Sequence, residues 1–350
     1  MGMLQRVKEG KFLEATLDMA LPEEQGHWLT ESGTECELLG RGLLSFSPAY
    51  SSSQDEQPKD IVLSSGVHGD ETSPIELLQR LVEQILSGEI KPAHRLLVII
   101  GHPEAINRHR RYVDENMNRL FKAENPATNP DCIRANTLQS AVKSFFQQGE
   151  KHQQSRWHLD LHCAIRDSEH YTFAVSPFSS HQTRQRDLFA FLQRSDIEAA
   201  LLSNSPSPTF SWYSAEFFGA QALTLELGKV APFGQNDLQR LSSFYQAIVE
   251  LVTHLSPNYQ WQQDKLTVYK VTRTLIKQSE HFMLNFPDDQ ANFTMYPQGT
   301  LLGRDRDLEY YVLEDGEAVV FPNANVAIGQ RACLLVQQAK VLVGEQIVAQ

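Results

Sequence analysis

Two polar residues in the stretch SSGVHGDETSP, residues 64–74, have side chains that could bind a metal ion. His68 and Glu71 are separated by two residues and follow the apolar run IVL. Imidazole nitrogens and carboxylate oxygens are common ligands of zinc in proteins. An H-x-x-E pair is also frequent by chance, so it predicts a metal site only if further ligands come from other parts of the chain.

Further candidate side chains lie in or near three other apolar runs. His162 ends the run WHLDLH, Glu226 lies inside ALTLELG, and the run LLVII leads into the polar segment 101–121. A histidine at a strand end is often only hydrogen-bonded structure. A carboxylate inside an apolar strand is harder to explain in that way. An unpaired buried charge costs several kcal/mol, so it needs a partner, a proton or a metal-bound water nearby.

The combination of these residues predicts a hydrolytic zinc site. Two neutral imidazoles and one carboxylate form a ligand set that holds catalytic zinc and leaves one position open for water. Zinc lowers the pKa of that water from about 15.7 to about 7. A second carboxylate must accept the water's proton and deliver it to the leaving nitrogen, and Glu226 is the available candidate. A guanidinium would suit the negative charge that develops on the carbonyl oxygen of the attacked amide.

Two neighbours of His162 have open or plainer interpretations. Asp160 points to the same face of a strand as His162 and could accept the free N–H of a zinc-bound imidazole. It could equally be an ordinary carboxylate at a strand end, and the sequence leaves both interpretations open. Cys163 should point to the opposite face, so we expect it in the core.

Apolar runs and helical patterns alternate along the first 260 residues, which favours an α/β fold with a mostly parallel mixed sheet covered by helices. Ligands of such sheets collect at the carboxyl ends of the strands, where the candidate residues lie. The predicted strands are 61–66, 95–103, 157–162, 171–177 and 222–228. The predicted helices are 73–86, 133–149, 188–202 and 236–255.

Sequence signals for helix starts support two of these helices. Ser73 is a candidate N-cap, Pro74 suits the first helical position, and Glu76 would complete a capping box. Asn236 is a candidate cap of the last helix.

The pattern changes after residue 260, where short strand-like runs are separated by glycine, proline and aspartate turns. These runs predict a smaller all-β domain from about residue 266 to 340. We therefore expect a catalytic domain at 1–262 and a C-terminal β domain at 263–350.

Composition excludes several classes of function. A chain of 350 residues with 41% apolar residues can form a sizeable core, and its net charge of −12 disfavours nucleic acid as a partner. No apolar run approaches the roughly 20 residues that a membrane helix needs. The four cysteines have no C-x-x-C spacing, which indicates a reducing compartment. We expect a cytoplasmic protein without a membrane partner; the sequence does not give its oligomeric state.

Five blocks of sequence resemble the succinylglutamate desuccinylase/aspartoacylase family, which has the zinc carboxypeptidase-like fold. These blocks are HGDE (68–71), RYVDENMNRLF (111–121), LDLH (159–162), LELGKVAPFGQNDL (225–238) and FPNANVAIGQRA (321–332). The resemblance covers nearly the whole chain, and the desuccinylase branch is the more similar one.

The resemblance implies a role for each matched residue. One zinc ion per chain would be bound by His68, Glu71 and His162, with Glu226 as the general acid and base. Arg111 matches the arginine that polarises the scissile carbonyl. The matched pair that grips a substrate carboxylate is Asn118 and Arg119.

The implied reaction is cleavage of N-succinyl-L-glutamate to succinate and L-glutamate, the last step of the succinyl route of arginine catabolism. This small anionic substrate carries three carboxylates, so a chain of net charge −12 needs a locally positive pocket to bind it. Arginines crowded on one loop are expected to supply that charge: Arg108, Arg110, Arg111 and Arg119. The alternatives are an aspartoacylase-like N-acyl-amino-acid amidase, a carboxypeptidase, and a non-catalytic sensor of acylated amino acids.

Overall fold

The computed structural model describes residues 1–48, 58–123, 125–149, 155–262, 265–344 and 346–349. The helices are Met3–Lys8 (α1), Phe12–Leu17 (α2), Ser73–Leu86 (α3), Pro103–Asn107 (α4), Pro130–Gly149 (α5), Arg186–Arg194 (α6), Phe210–Phe218 (α7) and Ser242–Thr253 (α8). A short 3-10 turn spans Met117–Arg119. None of the helices in these ranges combines the length and apolar composition that crossing a membrane would require.

Strands account for most of the remaining regular structure. Those of the first 230 residues are Gly26–Leu29 (β1), Glu35–Gly40 (β2), Leu43–Ser47 (β3), Asp60–Ser65 (β4), Arg95–Ile100 (β5), Arg156–Ala164 (β6), Thr172–Ser176 (β7), Ala199–Leu202 (β8) and Gln221–Lys229 (β9). Those that follow are Thr267–Ile276 (β10), Met283–Leu284 (β11), Thr294–Met295 (β12), Leu301–Asp305 (β13), Leu308–Tyr311 (β14), Ala318–Val320 (β15), Arg331–Gln338 (β16), Val341–Val343 (β17) and Ile347–Ala349 (β18).

One sheet of thirteen strands organises the chain, in the order β1-β2-β3-β5-β4-β6-β9-β7-β8-β10-β16-β15-β12. The central strands β5, β4, β6 and β9 are parallel to one another. Antiparallel strands flank them, with β3 on β5 and β7 on β9. The predicted α/β fold with a mixed sheet is therefore confirmed, and the predicted strands lie at its centre.

Helices bury both faces of the central strands, which explains why the strand sequences are continuous apolar runs. All six residues of β4 are buried. Ile61 and Leu63 pack into the cluster that contains the apolar face of α3, whereas Val62 packs into the opposite cluster with residues of α5. Successive side chains of a strand point to opposite faces, so one short run serves both cores.

Two predicted helices are shorter than the sequence pattern indicated. The predicted helix 188–202 ends at Arg194, because Asp196 takes a positive φ of 54°, and residues 199–202 form β8 between β7 and β10. The predicted helix 236–255 begins at Ser242. The Asn236 amide donates instead to Thr72 and Glu76.

The predicted capping box of α3 is also wrong. The N-cap is Thr72, and its hydroxyl donates to the carbonyl of Ala231. The Glu76 carboxylate accepts from the Gly234 N–H, so it holds a distant loop and not the helix start.

The predicted C-terminal β domain is present as strands, and several of them extend the large sheet. Strand β10 pairs in parallel with β8, and β16 and β15 follow it. Strands β11, β13 and β14 form a separate small sheet. The domain limits 1–262 and 263–350 stay a prediction, and residue 263 lies outside the described residues. The sequence pattern did not predict β1, β2 and β3, which extend the other side of the sheet.

Candidate active site

Parallel pairing brings the candidate ligands to one edge of the sheet. His68 and Glu71 lie in the loop that joins β4 to α3, and His162 lies near the carboxyl end of β6, the neighbour of β4. On the other side of β6, Glu226 of β9 is the direct register partner of His162. Four residues from three segments therefore meet because their strands are adjacent.

His68, Glu71 and His162 form one buried cluster, which we call the ligand cluster. Nδ1 of His68 lies 2.8 Å from one oxygen of Glu71, and Nδ1 of His162 lies 2.8 Å from the other. The two Nδ1 atoms are 3.2 Å apart. The candidate ligand atoms all lie within 4.8 Å of one another. The backbone N–H of Cys163, which is buried as expected, donates to Glu71 at 3.0 Å.

The outer nitrogens of both imidazoles face hydrogen-bond acceptors. Nε2 of His68 lies 2.9 Å from Oδ1 of Asn116, which also accepts the backbone N–H of Asn118. Nε2 of His162 lies 2.9 Å from Asp160, whose carboxylate accepts the hydroxyl of Ser64 as well. Both Nε2 atoms therefore donate.

This arrangement fits a divalent cation. With hydrogen on Nε2, a neutral imidazole directs the lone pair of Nδ1 inward, so two lone pairs and a carboxylate converge on one point. These electron-pair donors repel one another unless a cation or additional protons lie between them. In the protein alone, burial disfavours the charged form of His162, but Asp160 and Glu71 raise its pKa well above its ordinary value. A bound metal ion would take the place of the additional proton on His162.

Glu226 is buried beside the ligand cluster and lines the same cavity. No side chain in the described part of the chain donates a hydrogen bond to its carboxylate. Burial, followed by repulsion from Glu71, raises the pKa of Glu226 to about 7. A carboxyl group with such a pKa exchanges protons readily near neutral pH.

The loop that carries the predicted arginine and asparagine is fixed by Asp131 at the start of α5. Its carboxylate accepts the backbone N–H groups of Val113, Asp114 and Glu115 at 2.7–3.2 Å. It also accepts from Nε2 of His102 at 3.0 Å. This buried carboxylate therefore fixes the position of residues 113–115, which form no helix or strand.

All three predicted residues of the loop line the cavity. Arg111 donates to Glu71 at 2.5 Å, which brings its guanidinium against the ligand cluster. Asn118 accepts the N–H of Phe210 at 2.9 Å, and its NH2 group lies 3.4 Å from His162. Arg119 donates to the carbonyl of Asn118. Burial, followed by repulsion from Arg331 and Arg111, lowers the pKa of Arg119 to about 9.

The positive charge of the cavity differs from the sequence-based expectation. Arg111 and Arg119 line it, whereas Arg108 and Arg110 are exposed and are not among its described lining residues. Arg108 forms an ion pair with Glu104. The remaining positive charge comes from arginines to which the sequence analysis gave no role, Arg166 after β6 and Arg331 at the start of β16.

Comparison with known proteins covers both parts of the chain. Residues 57–252 match the succinylglutamate desuccinylase/aspartoacylase catalytic domain, and residues 264–339 match the AstE/AspA barrel-sandwich hybrid domain. A succinylglutamate desuccinylase of Vibrio vulnificus is 44% identical over 329 residues, which are 94% of either chain.

Solved structures agree with these matches. The structure of a succinylglutamate desuccinylase from Vibrio parahaemolyticus is 42% identical and superposes with a TM-score of 0.90, over 97% of this chain and 98% of that one. A succinylglutamate desuccinylase from Chromobacterium violaceum is 34% identical, with a TM-score of 0.80 over 94% of this chain and 98% of that one. The likeness therefore includes the C-terminal strands as well as the central sheet.

Proposed function

The chain belongs to the succinylglutamate desuccinylase/aspartoacylase family, and we propose that it is a zinc-dependent amidohydrolase that cleaves N-succinyl-L-glutamate to succinate and L-glutamate. The observation that carries the proposal is the convergence of two imidazole Nδ1 atoms on both oxygens of Glu71, with Glu226 on the adjacent strand. Relatives that share both parts of the chain support the amide substrate.

One zinc ion would be held by His68, Glu71 and His162. Bound there, it supplies Lewis acidity toward water and toward the amide carbonyl near neutral pH. Asp160 and Asn116 keep the two imidazoles in the orientation that directs Nδ1 inward. Such outer hydrogen bonds also fix the tautomer of a ligating histidine.

Glu226 is the proton carrier of the proposed reaction. Its carboxylate accepts a proton from the attacking water and then donates it to the departing amine of glutamate, which leaves as a neutral group. Because burial raises its pKa to about 7, both protonation states are accessible near neutral pH. Glu226 is the only carboxylate among the described residues that line the cavity. Glu71 is not among them, and it already contacts two imidazoles and Arg111.

The arginines of the 111–119 loop have two separate tasks. Arg111 lies against the ligand cluster, so its guanidinium can meet the charge that grows on the carbonyl oxygen during attack. Asn118 and Arg119 also line the cavity and bind a substrate carboxylate. An arginine and a carboxylate form a bidentate pair that fixes orientation as well as affinity.

A succinate-release assay combined with metal analysis of the purified protein tests this function. We expect stoichiometric zinc and a higher kcat/KM for N-succinylglutamate than for N-acetylaspartate or a carboxypeptidase peptide. A preference for N-acetylaspartate would favour the aspartoacylase-like alternative, and metal with ligand binding but no turnover would favour a sensor. The cytoplasmic location stays a prediction from the sequence.

A further inference from the structure

The C-terminal strands close one side of the cavity and contribute a charged residue to it. Arg331 is the first residue of β16, and its backbone pairs with Ile276 of β10. Its side chain lines the cavity together with Phe321 and Asn323. Since β10 continues the large sheet through β8, the position of Arg331 is fixed relative to the ligand cluster.

Arg331 has no acidic partner among the described residues. Its guanidinium lies over the ring of Phe321, 5.5 Å from the centroid, and burial lowers its pKa. Other arginines of the C-terminal strands are paired: Arg273 with Glu317 and Arg304 with Glu309. Arg331 therefore differs from these two arginines: it lines the cavity and has no acidic partner among the described residues.

Arg119 lines the same cavity as Arg331 and forms no ion pair with a carboxylate in the described part of the chain. It donates a hydrogen bond to the backbone carbonyl of Asn118. After burial, repulsion from Arg331 is the next largest cause of its lowered pKa, and attraction from Glu226 only partly offsets these effects. Both side chains are half-buried, and two guanidinium groups that repel each other in a partly desolvated cavity destabilise the protein unless an anion neutralises them. A carboxylate suits both, because each guanidinium presents a planar pair of donors.

We propose that Arg331 and Arg119 together bind one carboxylate of the substrate that is remote from the scissile amide. This inference rests on the proposed function and adds the residue that recognises the far end of the substrate. It makes the C-terminal β strands a specificity element: they select a substrate with a charged group at that end. Arg331 binds substrate and takes no part in proton transfer.

Steady-state kinetics with three substrates tests the inference. They are N-succinylglutamate, N-acetylglutamate, which lacks the acyl carboxylate, and N-succinylglutamine, in which an amide replaces the side-chain carboxylate. Arg331→Met keeps the apolar stem against Phe321 and removes the charge. We expect it to lower kcat/KM for N-succinylglutamate by about 10- to 100-fold, mainly through a higher KM. A charge-assisted hydrogen bond contributes a binding free energy that corresponds to a loss of this size.

Comparing the three substrates shows whether Arg331 recognises a substrate carboxylate or only stabilises the fold. For the substrate that lacks the bound carboxylate, Arg331→Met should change kcat/KM by less than about twofold. Arg331→Lys should recover part of the loss, since it keeps the charge without the planar fork. An equal loss with all three substrates, or no loss with any, would overturn the inference.

Controls separate failure of this inference from failure of the proposed function. Arg304→Gln removes an arginine from the same strands outside the cavity and should leave kinetics unchanged. Zinc content and melting temperature report on folding. If Arg331→Met is unstable, the comparison of substrates is made with Arg331→Lys instead. Inactive wild-type protein with stoichiometric zinc would refute the proposed function, whereas an active wild type with an unaffected Arg331→Met refutes only the inference.

Discussion

The two sides of the cavity satisfy their charges in different ways. On the metal side, His68, Glu71 and His162 face one another, and each imidazole also has an outer acceptor. On the carboxylate side, Arg119 and Arg331 line the cavity and form no ion pair with a carboxylate among the described residues. One side is a set of ligands that needs a cation, and the other is a pair of cations that needs an anion.

This difference separates the chemistry of the site from its selectivity. The metal side is built on the ends of adjacent parallel strands, so its geometry follows from the sheet itself. The carboxylate side joins a loop held by Asp131 to the first residue of β16, which comes from the other end of the chain. Changes on the first side should abolish the reaction, and changes on the second should alter which substrate is used.

The largest effect is expected from removing a ligand on the metal side. His68→Ala deletes one of the three donors, so the protein should lose both zinc and succinate release. Zinc is measured after gel filtration, with His181→Ala as a control, because His181 lies outside the cavity and contacts the Glu216 carbonyl. Stoichiometric zinc in His68→Ala would assign the third ligand to another residue.

Glu226 lies beside the ligand cluster without being one of its members, so it allows metal binding to be separated from proton transfer. Glu226→Gln keeps the shape of the side chain and cannot accept a proton, so kcat should fall by at least about 10²-fold while zinc content stays stoichiometric. Single-turnover and steady-state rates measure the loss. Full activity in this variant would remove Glu226 from the mechanism.

The metal side was predictable from sequence because its signals are local. The runs around His68, His162 and Glu226 are apolar enough to be central strands, and such strands bring their carboxyl ends together. Arg331 lies within the matching block 321–332 and opens β16, but no chemical motif in that block assigns it a role. Its role depends on β10 pairing with β8, a contact that the pattern does not specify.

The same limit explains the wrong helix predictions. AALL at 199–202 continues an apolar pattern that suits a helix, but the turn at Asp196 and the two flanking strands convert it to β8. Glu76 and Asn236 have the residue types of helix caps, yet they hydrogen-bond to each other across the fold. Tertiary partners therefore overrode the local preference in each case.

A smaller and different effect is expected from Arg119 on the carboxylate side. Arg119→Ala removes a bidentate contact that is present before and during the reaction, so KM should rise by about 10- to 100-fold with little change in kcat. Zinc content should be unaffected. Arg119→Lys is the matched variant and should show a smaller increase in KM. A fall in kcat with unchanged KM would place Arg119 in the chemical step.

The smallest effect is expected from Arg108 and Arg110, which carry the same charge in the same loop without lining the cavity. Both are exposed, and Arg108 is paired with Glu104, so solvent and salt screen them from a bound substrate. The double variant Arg108→Gln and Arg110→Gln should change kcat/KM for N-succinylglutamate by less than about twofold at 0.15 M salt. A modest decrease at low salt would reflect the loss of long-range attraction between these two arginines and an anionic substrate, which the net charge of −12 otherwise repels. A tenfold increase in KM at 0.15 M salt would show that charge crowded on the loop, and not the placement of Arg119 and Arg331, holds the substrate.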